Sequence, residues 1–367
     1  MTAEIPDYTE IYEGDRYCLM CRHVCPVERV TKREATSPHG WALLVASERR
    51  GLVQWDAETV DTLYQCADCG LCQANCVSVR PLPAAIVAAR ATVAQRGFAP
   101  DRVRLVDENL RKWGQPYGEA FHNPFTDLAS GGAEIGLFVG AATTASRAET
   151  VDAAIKLLDA AGVSHSLIST GRSGVYLPYT LGLWDTARTI ALQTIEEIEG
   201  NGIKQVITLS REDTHAFMHI YEEIGVKLPE DVHVVEFIEW LWAAIGAGKL
   251  RTGKLALAGY VYHDPVHTPR VLRAAACAHD LLAELVDGPM RRMLWRGNTA
   301  APSGAVGGFE FTQPALVEML NMERIAEAKR AGAAGIVTED PQCTAQLAKY
   351  AEGLPVVNLV ELLAEQI

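Results

Sequence analysis

Seven of the nine cysteines in this 367-residue chain fall in two short stretches. The first holds Cys18, Cys21 and Cys25, with Pro26 directly after; the second holds Cys66, Cys69, Cys72 and Cys76. The second reads C-x2-C-x2-C-x3-C. A thiolate loop with this spacing wraps three corners of a cubane iron–sulfur cluster and sends its fourth cysteine to a neighbouring cluster. The chemistry this predicts is one-electron transfer. Zinc is the nearest rival, because paired C-x2-C units also suit tetrahedral thiolate sites. Seven ligands overfill one zinc, however, and the second run has the iron–sulfur form. Disulfides fit less well: no secretory signal is read before Asp7, and an odd count leaves a thiol over.

The crossing rule predicts the partition of ligands. Cys66, Cys69 and Cys72 are expected to hold one 4Fe–4S cluster with Cys25 as fourth ligand, while Cys18, Cys21 and Cys76 hold the other. The second set is one ligand short. Counting back from Cys18 by the same step lands on Asp15. Three arrangements stay open there: Asp15 ligates iron, an outside group does so, or the corner is empty in a three-iron cluster. A fourth reading gives Asp15 no metal role and makes it the cap of a helix beginning near Tyr17. His23, between two ligands, is expected to be solvated or to lie behind the ligands rather than to bind.

The elements that position these thiols read as helical. Residues 56–65, 83–97 and 101–113 carry helix-period apolar positions such as Ile86, Val87, Val93 and Leu105, punctuated by prolines. A loop with Pro116, Gly118, Pro124, Gly131 and Gly132 follows as a linker. Beyond it the pattern turns to short apolar runs followed by amphipathic helices. Ile135 to Val139 and Gln205 to Leu209 read as strands, and Glu149 to Ala161 as a helix. The rear also repeats itself. QVITLSREDTHAFMHIY from Gln205 answers to GIVTEDPQCTAQLAKYA from Gly335, and VHVVEFIEWLWAAI from Val232 answers to LPVVNLVELLAEQI from Leu354. The expected organisation is α+β and multidomain: a helical domain over residues 1–125, then two small parallel-sheet units over 133–250 and 254–367, packed about a pseudo-twofold axis.

Composition narrows the function. There are 33 basic against 46 acidic residues, a formal charge of -13, which argues against nucleic acid because neutralising phosphates needs a basic surface. The apolar run near Phe237 to Ile245 is broken by Glu239 and too short to span a bilayer. A cytoplasmic protein, peripheral to a membrane at most, is expected. GAGKL at 246–250 lacks the Ser or Thr of a phosphate loop, and Gly140 opens no dinucleotide fingerprint.

At CLMCRHVCP, SPHGWALL (37–44) and YQCADCGLCQANC, the front resembles the ferredoxin-like two-cluster domain of heterodisulfide reductase, glycolate oxidase and lactate-utilisation iron–sulfur subunits. The rear resembles the two Rossmann-like "CCG" repeats of the same proteins, and together the likeness covers nearly the whole chain. In that family each repeat carries five cysteines that assemble a catalytic cluster or, in some relatives, a zinc site. Here Ala141, Arg172, Ser173, Ser210 and Asp213 stand at those positions in the first repeat. Val266, Pro302, Ser303, Asp340 and Cys343 stand there in the second, so one thiol of ten survives. Alanine, valine and serine cannot supply the anionic sulfur that such a cluster needs.

The resemblance therefore implies an iron–sulfur electron-transfer subunit with no catalytic site of its own. It would relay electrons to or from a flavoprotein partner, an FAD-linked dehydrogenase or an electron-transfer flavoprotein, within a hetero-oligomer, and the rear repeats would serve for docking. The alternatives are a terminal quinone or disulfide reductase with its site in the rear, and a purely structural subunit. Cys343 is expected to be a relic before a helix, Cys277 a small core residue in a helix from Val271 to Leu285, and His263 a hydrogen-bonding residue at a strand end.

Overall fold

The computed structural model describes residues 4–128, 131–266 and 274–367. The chain is mainly helical with two small parallel sheets. Its front forms seven α-helices: α1 (Thr9–Asp15), α2 (Pro26–Thr31), α3 (Pro38–Arg49), α4 (Ala57–Leu63), α5 (Leu71–Ala74), α6 (Leu82–Gln95) and α7 (Asp101–Trp113). Local chemistry fixes their starts. Ser37 accepts the amide of Gly40 at 3.1 Å to open α3, with Pro38 at the first helical position. Asp56 and Thr59 form a reciprocal capping box on α4. Gly40 is required there, because a Cβ would lie 2.3 Å from the carbonyl of Glu34.

Ten of the fourteen residues of α6 are buried, so it is the central post of the front rather than a surface helix. Helix α7 buries Val103, Val106 and Leu110, one stripe at helical spacing. Leu105, expected among the inward residues, is exposed instead, since it falls between the stripe positions. Among its described residues, the linker expected around Pro116 to Gly132 is irregular apart from a 3-10 turn at Thr126–Leu128.

The rear begins with β1 (Ile135–Phe138), α8 (Ala141–Ala160), β2 (Ser166–Ile168), α9 (Tyr176–Thr180), α10 (Trp184–Gly200) and β3 (Gln205–Thr208). Helix α11 (Arg211–His215) passes through a π-helical turn into α12 (Tyr221–Glu223), followed by β4 (His233–Glu236) and α13 (Phe237–Gly246). These strands form one parallel sheet in the order β2-β1-β3-β4. The second sheet is parallel too, in the order β5 (Val261–Tyr262), β6 (Ile336–Thr338), β7 (Val356–Asn358). Around it lie α14 (Ala274–Leu285), α15 (Phe309–Thr312), α16 (Pro314–Arg330), α17 (Pro341–Tyr350) and α18 (Leu359–Ala364). The repeat seen in the sequence thus recurs as strand, helix, strand, helix in both sheets. The residues 271–273 expected to start α14, and 267–270 of YHDPVHTPR, lie outside the described residues.

The two sheets meet reciprocally. Helix α8 of the first packs on α17 and α18 of the second, while α13 of the first packs on α14 of the second. Arg147 and Thr150 on α8 donate to the Glu361 carboxylate of α18, with Arg147 Nη2 at 2.6 Å. Within this seam Arg211 is buried between Glu236 and Glu339, paired with both.

The front and rear share one apolar core. Leu63, Tyr64, Ile86 and Val103 are continuous with Tyr179, Leu181, Trp184 and Phe309. Tyr64 Oη donates to the Leu181 carbonyl at 2.9 Å. The chain turns at Gly182, φ +79°, where any Cβ would meet the backbone of Arg90 at 2.5 Å.

Candidate iron–sulfur sites

The loop after α4 curls so that three thiols face one way. Asp68 and Gly70 take left-handed conformations, φ +51° and +71°, between Cys66 and α5. Asp68 is held there by the hydroxyls of Tyr176 at 3.2 Å and Thr180 at 3.3 Å, both from α9. Burial pushes its carboxyl up to about 6, against the pull of nearby Arg90. Cys25, at the entry to α2, comes in from the other side. Cys25, Cys66, Cys69 and Cys72 line one narrow cavity of about 20 Å³ walled by Pro26, Trp41 and other apolar groups. Cys25 is 4 % exposed and Cys66 and Cys69 are each 8 % exposed.

The other three thiols open a second cavity. Cys18, Cys21 and Cys76 line a space of about 250 Å³ with Asp15, and Cys72 lies on the walls of both cavities. Cys18 is exposed, and Cys21 and Cys76 are partly so. The two cavities are called inner and outer below. Cys25, Cys66 and Cys69 line the inner cavity, Cys18, Cys21 and Cys76 the outer one, and Cys72 both. His23, in the 3-10 turn Arg22–Val24, lines neither.

Asp15 does not cap a helix near Tyr17. It is the last residue of α1, and the chain from Arg16 to Cys21 forms no helix. Its carboxylate is buried against Arg80, which follows Cys76 on the other ligand stretch. Burial pushes the Asp15 carboxyl up and Arg80 opposes this.

Burial also sets the state of the thiols. It drives Cys25 and Cys72 well above the ordinary thiol range, Cys66 up to about 12 and Cys21 up to about 11. Around Cys66 the guanidinium of Arg90 works the other way. Without a cation these groups keep their protons; a cationic cluster core would take the thiolates and release the protons. Among the described residues no three His, Cys, Asp or Glu side chains converge on a single point as one metal ion requires.

Arg90 was not singled out by its sequence position, although an arginine amid the apolar residues of α6 was the available signal. It is fully buried. It donates to the carbonyls of Leu63 at 3.2 Å, Cys66 at 2.5 Å and Thr180 at 2.9 Å, tying the cysteine loop to α9.

In the rear, the positions at which the resemblance leads one to expect cysteines cap and pack. Ser210 caps α11 by accepting the Glu212 amide, and Asp340 caps α17 by accepting the Cys343 amide at 2.8 Å. Asp213 fills the space over Gly174, where a Cβ would sit 1.9 Å from its Oδ1. Burial and then Asp340 push its carboxyl up to about 7. Cys343 is buried, with its thiol pushed far up. Cys277 is only half-buried, so it is not the core residue expected; α14 turns Ala278, Leu281 and Leu285 inward instead. His263 is buried at the end of β5 and accepts from Arg324 Nε at 2.9 Å, the hydrogen-bonding role expected of it.

No protein-family model matches the chain. It is 24% identical over 219 residues to the probable iron–sulfur-binding oxidoreductase FadF of Bacillus subtilis, covering 58% of this chain and 30% of that one. The chain therefore spans about a third of the length of this curated relative. Its fold is similar to that of a hypothetical protein from Helicobacter pylori, with a TM-score of 0.60 at 9% identity, over 98% of this chain and 75% of that one. Picrophilus torridus aspartate racemase superposes at a TM-score of only 0.33 over 63% of the chain, too weak to bear on the fold. Among the described residues no helix is long and apolar enough to cross a membrane.

Proposed function

We propose that this chain is an iron–sulfur electron-transfer subunit of a larger oxidoreductase. The observation that carries this is the grouping of seven thiols, drawn from two distant stretches, around two adjacent cavities that share Cys72. The name of the Bacillus relative agrees in class. Clusters bound there would pass single electrons. The chain's own residues do the rest. Cys25, Cys66, Cys69 and Cys72 hold the inner site away from water, and Arg90 and Asp68 fix the loop that presents them. Cys18, Cys21 and Cys76 hold the outer site at the surface. Exposed Tyr17, Met20 and Val77 flank it, which suits it to face the partner.

In this reading residues 1–125 form a two-cluster, ferredoxin-like domain, and 133–250 and 254–367 are degenerate CCG repeats. The partner is a flavoprotein in a cytoplasmic hetero-oligomer, where a flavin takes up electron pairs and releases them singly. A disulfide-reducing site in the rear is disfavoured, because Cys343 stands there with a capping aspartate and no second thiol in its repeat's other family positions.

The test is stopped-flow spectroscopy of the anaerobically purified chain with a flavoprotein that copurifies with it. Bleaching of the iron–sulfur absorbance within the turnover time is expected. Absorbance that stays constant during turnover, or a colourless protein holding only zinc, would overturn the proposal.

A further inference from the structure

The outer cavity is lined by the thiols of Cys18, Cys21 and Cys76, by Cys72, which it shares with the inner cavity, and by one carboxylate, Asp15; with Cys72 serving the inner site, three thiols remain for the outer one. That carboxylate is already engaged. Asp15 pairs with Arg80 Nε, while Arg80 Nη2 donates to the Glu10 carbonyl of α1 at 2.6 Å. The guanidinium also lies so close over Gly14 that a Cβ there would sit 2.6 Å from Nη2. To reach a metal in the cavity, Asp15 would leave a cation anchored on two sides without its counter-charge. The remaining oxygen donors on the wall are neutral. Asn75 donates its Nδ2 to the Leu71 carbonyl at 3.0 Å and offers only a neutral carboxamide oxygen, and Ser78 carries only a hydroxyl. Iron in a sulfide core favours soft, anionic sulfur over either.

The cavity also has room and an entrance. It is about 250 Å³ against about 20 Å³ for the inner one, Cys18 on its wall is exposed, and Met20 and Val77 on its rim are 74 % and 99 % exposed. A short alkyl thiol could enter with its sulfur toward the three cysteines and its carbon chain against Met20, Val77 and Leu82.

We propose that Asp15 is a clamp and not a ligand, and that the fourth corner of the outer site is filled from outside the chain by a small thiolate. This rests on the reading that the outer site holds a cluster. Through Arg80, Asp15 ties the stretch carrying Cys18 and Cys21 to the stretch carrying Cys76, so the three thiols keep their places while the fourth corner stays exchangeable. When a thiol binds, one iron–sulfur bond forms, the S–H proton passes to water, the group that held the corner leaves, and no electron moves.

The experiment uses the full chain, reconstituted anaerobically with iron and sulfide. Iron content is measured first, then paramagnetic resonance and Mössbauer spectra during titration with 2-mercaptoethanol, for the wild type and Asp15→Asn. Asp15→Ser replaces the latter if it fails to fold. About seven to eight irons per chain are expected for the wild type, with a saturable thiol-dependent shift in the spectrum of one cluster only in both proteins; loss of the clamp lowers the outer-site iron of the variant without removing its thiol response. A wild type blind to thiol beside a responsive variant would make Asp15 the ligand and overturn the proposal. Two blind proteins with full iron would overturn it as well, since the corner would then be closed by another group. About four irons per chain would remove the outer cluster altogether and with it the two-cluster reading.

Discussion

The inner and outer thiol cavities use the same side chain on neighbouring stretches of one small helical region, yet they sit in opposite environments. The inner one is narrow, walled by proline and tryptophan, and its loop is tied by Arg90. The outer one opens to solvent beside an ion pair. The difference teaches that identical ligand chemistry can be spent on two tasks. A buried thiol set depends on its metal core to compensate the charge of four thiolates, so that core is also structural. A surface set adds little to the fold and can exchange with the surroundings.

The strongest way to break this contrast is to remove one thiol from each site. Cys66→Ser is expected to lose the inner cluster and cooperative folding together, because Cys66 and Leu63 belong to the core that the front shares with α9 and α15. Cys18→Ser should lose only the outer iron and keep a wild-type circular dichroism melt. Equal melts for the two variants would end the distinction.

A second test sets the front against the rear through pH. Burial is the main cause that raises Asp213 and Glu310 to about 7, with Asp340 adding to it for Asp213 and Tyr117 opposing it for Glu310. The folded state therefore keeps protons that the unfolded chain has already lost. Their contribution is complete below the ordinary carboxylate range and disappears as pH rises toward and past about 7. Their share of the unfolding free energy should fall on the order of a few kcal/mol between about pH 5 and about pH 8. Asp213→Asn should flatten the profile, and a profile unchanged by that substitution would place the titration elsewhere.

Arg90→Met sharpens the picture of the inner site. Three carbonyls lose a charged donor, which costs roughly 1–3 kcal/mol for each group left unsatisfied. Removing a buried cation beside the inner thiols should also lower that cluster's midpoint potential by about 59 mV or more, equivalent to a tenfold change for one electron. A potential unchanged in redox titration would limit Arg90 to holding the loop. The smallest effect is expected from Asp15→Cys. It removes the Asp15–Arg80 ion pair, supplies the missing sulfur, and should abolish both the thiol response and any three-iron signal on mild oxidation. Spectra identical to the wild type would put position 15 out of reach of the iron.

Much of this was legible along the chain, for reasons that differ by element. Helix α7 spans the 101–113 expected because an aspartate start, a stripe of valines and leucine, and Gly114 beyond its end all agree locally. Strands β1 and β3 were legible as short apolar runs. The inward face of α7 was misread at Leu105, since apolar character alone does not say which side of a helix meets a neighbour. Cys277 was misplaced for the same reason, one step out of phase with Ala278 and Leu281. The role of Asp15 was out of reach, because its partner Arg80 lies on the far side of the cysteine stretches and only folding brings them together.

What the sequence determined by itself was the kind and number of sulfur donors and their gathering into two short stretches, because side-chain identity and spacing are properties of the chain alone. The tertiary structure alone decided which thiols are buried and which exposed, and that the Asp15 carboxylate is already paired with Arg80. Burial and ion pairing are properties of surfaces that meet from distant parts of the chain, and no local spacing encodes them.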